Sequence, residues 1–69
     1  MTREQILQEL ELLEFDEERV KQQMRWHATF PELVPGGKKA ADQFINEGLE
    51  KLHLIKELRT FWYQKLKEL

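Results

Sequence analysis

Apolar residues return at intervals of three and four along nearly the whole chain, which is the period of an α-helix packed on one side. In the first half, placing residues about 100° apart puts Ile6, Leu10, Leu13, Val20, Met24 and Ala28 on one stripe. Leu12, Phe15, Trp26 and Phe30 fall on a second, well separated stripe. In the second half, Ala41, Phe44, Ile45, Leu52, Ile55, Leu58, Trp62, Tyr63, Leu66 and Leu69 recur at the same spacing, and Leu49, Leu54 and Phe61 widen the band. That band is too wide for a single partner helix to cover.

Punctuation sets the boundaries. Thr2 followed by Gln5 has the spacing of a capping box, so the first helix starts at Arg3, and good helix formers carry it to about Thr29. The stretch 30–37 reads Phe-Pro-Glu-Leu-Val-Pro-Gly-Gly and makes the only turn. Leu33 and Val34 are expected to fold back over the end of the core, and Gly37 to cap a second helix spanning about 38–68. Gly48 lies inside the second stripe, where it costs about 1 kcal/mol relative to alanine. It marks either a close helix approach or a tolerated glycine.

The fold expected is therefore all-α, a single domain over residues 1–69 forming an antiparallel two-helix hairpin. A 69-residue chain without cysteine has no disulfide and supports only a small core, so self-association into a homodimeric four-helix bundle of coiled-coil type is the expected staple. In that scheme the Ile6 stripe meets the second helix and the Leu12 stripe meets a dimer mate or partner, although the two assignments are interchangeable.

Charge narrows the functional classes. With 35% charged residues and a formal net charge of −2, the chain has no general attraction for nucleic acid or anionic membranes. No signal-peptide core and no apolar run of ~20 residues is present, so a cytoplasmic, soluble protein is expected. A local exception is the turn, where Lys38 and Lys39 follow two glycines and Arg25 lies across the hairpin; these three are candidate anion or nucleic-acid contacts. The spacing is not that of a phosphate-binding loop.

Other chemistry is thin. Glu50 and His53 have the Glu-x-x-His spacing of di-metal bundles, with Glu17 expected near the level of Glu50, but they share a polar face with Asn46, Glu57 and Gln64. No metal or cofactor is expected. Without cysteine or serine, and with its two histidines on different helices, the chain is not expected to be an enzyme, although a cleft converging on Arg59 with carboxylates around it would favour one. The acidic run around Asp16-Glu17-Glu18 reads as a solvated face. No motif carries a family resemblance.

The remaining signal is aromatic and aliphatic. Phe61-Trp62-Tyr63 cannot all point inward on one helix, so Trp62 faces the stripe while Phe61 and Tyr63 flank it on opposite sides. The function expected is a small protein–protein interaction module, a regulator or adaptor, acting through Leu12, Phe15, Trp26, Phe30, Leu54, Leu58, Phe61, Trp62 and Tyr63. The partners expected are a second copy of the chain and another protein.

Overall fold

The computed structural model describes all residues from Met1 to Leu69. Helix α1 spans Arg3–Thr29, a 3₁₀ turn spans Pro31–Leu33, and helix α2 spans Gly37–Lys67. The two long helices lie antiparallel as a hairpin 49 Å long and 15 by 13 Å in section. No strand is present, and no helix is long and apolar enough to cross a membrane.

Helix α1 begins where its cap dictates. The Thr2 hydroxyl accepts from the Gln5 backbone N–H at 3.2 Å, and the Gln5 side chain accepts from the Thr2 N–H at 2.8 Å, satisfying two donors left orphaned by the helix start. Pro31 prevents α1 from continuing, and Phe30 becomes its C-cap.

The turn departs from expectation in two places. Val34 is buried and closes the loop end of the core, whereas Leu33, the last residue of the 3₁₀ turn, is 63% exposed. A tight turn places neighbouring side chains in different directions, so only one of the pair reaches inward. The cap of α2 is Gly36 rather than Gly37, at φ 94°, and Gly37 follows at φ 72°. Both conformations favour glycine, and a Cβ on Gly36 would also stand 2.9 Å from that of Ala40.

The core is a single seam between the helices. Ile6, Leu13, Val34, Ala41 and Ile55 are its buried apolar residues, and Gly48 is buried with them. Leu10, Val20 and Met24 of α1 and Ile45, Leu52, Trp62 and Leu66 of α2 line the seam half-buried. Ala28, which shares the stripe by helical phase, is exposed. At Gly48 the helices approach closely: a Cβ there would meet Met24 Cγ at 2.6 Å and Sδ at 2.7 Å, with Val20 Cγ1 at 3.6 Å. The glycine thus lets α2 approach α1 closely, with the flexible Met24 side chain filling the space a Cβ would take.

Candidate interaction surfaces

One ion pair ties the helices together. Glu17 interrupts the apolar stripe of α1, and its carboxylate meets Arg59 of α2 through Oε2 while Oε1 accepts from Lys21 at 2.8 Å on its own helix. Glu17 is therefore not level with Glu50 but with Arg59, nine residues further along α2. The antiparallel offset follows the packing of Met24 on Gly48, which sets the register. His53 pairs with Glu57 at 3.0 Å on the exposed face of α2, and no three His, Asp or Glu side chains are placed to hold a metal.

The seam divides the surface into two unlike sides. On one side a groove of about 460 Å³ is lined by Leu7, Leu10, Glu11, Glu14, Glu17, Glu18, Arg59 and Tyr63. A cleft does converge on Arg59 with carboxylates around it, but the Arg59 guanidinium is engaged by Glu17. This groove is predominantly acidic.

The other side is apolar at its centre. A groove of about 410 Å³ is lined by Asp16, Arg19, Val20 and Gln23 of α1 and by Lys51, Leu54 and Ile55 of α2. Leu12 precedes Asp16 by four residues and so continues the same ridge of α1; Leu58 and Phe61 follow Leu54 by four and seven and continue the ridge of α2. Leu12, Leu54, Leu58 and Phe61 are 57, 57, 47 and 49% exposed. Four large apolar side chains on one ridge pair are thus half in water.

The aromatic run behaves as its phase requires. Trp62 is half-buried and lines a depression with Ile6 and Phe61. Phe61 stands edge-on to Trp62 with ring centroids 5.0 Å apart, and Tyr63 opens onto the acidic groove instead. Trp62 is accordingly part of the seam more than of any free surface. Phe15 and Trp26, eleven residues apart, lie on the back of α1 and are 66 and 45% exposed.

Near the loop a small aromatic group forms. Trp26 meets His27 edge-on at 5.2 Å and Phe30 at 6.0 Å, and His27 stacks on Phe44 of α2 at 4.6 Å. The His27 Nδ1 donates to the Gln23 carbonyl at 2.6 Å, which holds the ring over Phe44. Phase could have revealed the stack, because His27 follows Met24 by three and so continues the α1 stripe.

The basic residues do not converge. Arg25 lines a shallow depression with Lys21, Met24 and Leu52. Leu52 lies thirteen residues along α2 from Lys39, about 20 Å of helix rise. Lys38 and Lys39 are exposed at the α2 start, apart from Arg25. No protein family, curated protein or solved structure matches this chain.

Proposed function

We propose that this hairpin is a small intracellular protein–protein interaction module that completes its core with a second hairpin, giving a four-helix bundle. The observation that carries the reading is the apolar ridge pair Leu12, Leu54, Leu58 and Phe61, gathered on one side and left about half exposed. Only five apolar residues are buried within the chain, and a core that small rarely supplies more than ~3–5 kcal/mol. Closing a second hairpin over the ridge pair adds apolar burial at ~25 cal/mol per Å².

Phe15 and Trp26, on the outer flank of the same α1 stripe as Leu12, supply with Phe30 the aromatic anchors for another protein, the adaptor or regulator part of the reading. A cytoplasmic setting belongs to the same reading. The test is mass by light scattering over a concentration series. A species of twice 8.4 kDa that reverts to monomer in Leu58→Glu supports it. A wild-type chain that stays monomeric and helical at hundreds of micromolar would refute self-association.

A further inference from the structure

Met24 carries the one thioether set into the seam. The chain has no cysteine, and its other methionine is Met1 at the free end, 68% exposed. Oxidisable sulfur is therefore confined to two side chains in unlike surroundings. The Met24 Cγ and Sδ stand 2.6 and 2.7 Å from the point that a Cβ on Gly48 would occupy, and Val20 Cγ1 stands 3.6 Å from the same point. The thioether thus fills the notch that the glycine leaves, with apolar neighbours, where α2 approaches α1 closely.

This notch is not sealed from water. Met24 is half-buried and borders two grooves. One, of about 240 Å³, also touches Val20, Gln23, His27 and Lys51; the other, of about 440 Å³, touches Lys21, Arg25 and Leu52. By helix phase, residues 20, 23 and 27 lie on one flank of Met24 and residues 21 and 25 on the other. A small solute therefore reaches the side chain from both sides of the seam. The Leu52 flank faces away from the ridge of Leu54 and Leu58, so it stays open when a second hairpin covers that ridge.

We propose that Met24 is an oxidation site through which a peroxide loosens the hairpin. A sulfur lone pair attacks one oxygen of hydrogen peroxide, and the S–O bond forms as the O–O bond breaks. The departing hydroxide takes the proton of the transferred oxygen and leaves as water. Sulfur loses two electrons, the peroxide gains two, and the product is methionine sulfoxide. The added oxygen is both an extra heavy atom and a strong hydrogen-bond acceptor, in a notch that the unmodified side chain already fills. Kept inside, the sulfoxide forces the helices apart; swung out to the polar groups of either groove, it leaves the notch beside Gly48 empty. Either way the contact between Met24 and Gly48, which sets the helix register, is lost. Methionine sulfoxide reductases, one for each epimer of the sulfoxide, return the thioether, so the change is reversible.

The test uses the full chain at fixed protein concentration, treated with hydrogen peroxide. Peptide mass mapping quantifies sulfoxide at Met1 and Met24, and urea unfolding is followed by circular dichroism. Conversion of Met24 should raise the ratio of unfolded to folded chain at least about tenfold. Amide exchange should rise most around residues 24 and 48. Met24→Leu, close to methionine in volume, should keep its unfolding midpoint through the same treatment. Exposure of the oxidised wild-type chain to both reductases should restore the untreated midpoint, a readout that does not depend on how well the leucine variant folds.

Three results would overturn the proposal. The first is a Met24 that stays a thioether while Met1 is converted. The second is a Met24 sulfoxide that unfolds at the same urea concentration as the untreated chain. The third is a loss that persists once the reductases have returned Met24 to the thioether, or that appears equally in peroxide-treated Met24→Leu.

Discussion

Glu17 and Arg59 form the one ion pair that crosses the seam of the hairpin. Their side chains are 21 and 36% exposed, so water screens the pair only in part. Glu17→Gln is expected to cost about 1 kcal/mol at fixed protein concentration, and Glu17→Gln with Arg59→Gln little more than either alone. Urea denaturation at low and high salt checks this; a loss that does not shrink with salt would point to packing of the Arg59 stem instead.

Leu54 and Ile55 are neighbours in sequence with opposite environments, 57 and 8% exposed. Ile55→Ala is expected to destabilise the fold by about 2–5 kcal/mol, as removal of a packed core side chain does. Leu54→Ala should leave the unfolding of the dilute monomer within about 0.5 kcal/mol of wild type and act on self-association. Equal effects of both substitutions on monomer stability would contradict the exposed placement of Leu54.

Gly48 and Met24 should be energetically coupled. Alanine at 48 improves helix propensity by about 1 kcal/mol but drives Met24 from its place, so Gly48→Ala is expected to be near neutral and Gly48→Leu to cost at least about 2 kcal/mol. Gly48→Ala combined with Met24→Ala should show a favourable coupling of about 1 kcal/mol in a double-mutant cycle. Strict additivity would mean that the helices do not approach here as described.

Thr2 holds the start of α1 together with Gln5. Thr2→Ala should cost about 1 kcal/mol and raise hydrogen exchange in the first turn before the rest of the helix is affected. Unchanged protection from Glu4 to Ile6 would show that the capping box adds nothing in solution.

The helices were legible in the sequence because local rules decide them. The Thr2 to Gln5 spacing and Pro31 place the ends of α1 at the observed residues, and the Ile6, Leu13 and Ile55 periodicity identifies the seam. What escaped is non-local or depends on backbone detail. Leu33 and Val34 differ only in how a 3₁₀ turn aims them. The partner of Glu17 depends on antiparallel register, which the close contact of Gly48 with Met24 sets and periodicity does not. The placing of an acidic and an apolar groove on opposite sides requires knowing which flank of α1 meets which flank of α2, and the handedness of the hairpin decides that. Phe15 and Trp26 were recognisable as outward residues from phase alone.

The buried Val34 at the turn has a kinetic consequence. Residues 29 and 37 are joined by a short connection, so folding Val34 back onto the start of α2, where its carbonyl accepts from Gly37 N–H at 2.8 Å, closes a very small loop, while uniting Ile6 with Trp62 requires most of the chain. Contacts near the turn cost the least entropy and should form first, with the seam zipping outward to the free termini. Conservative truncations at Val34 should therefore slow folding, and those at Ile6 should chiefly accelerate unfolding.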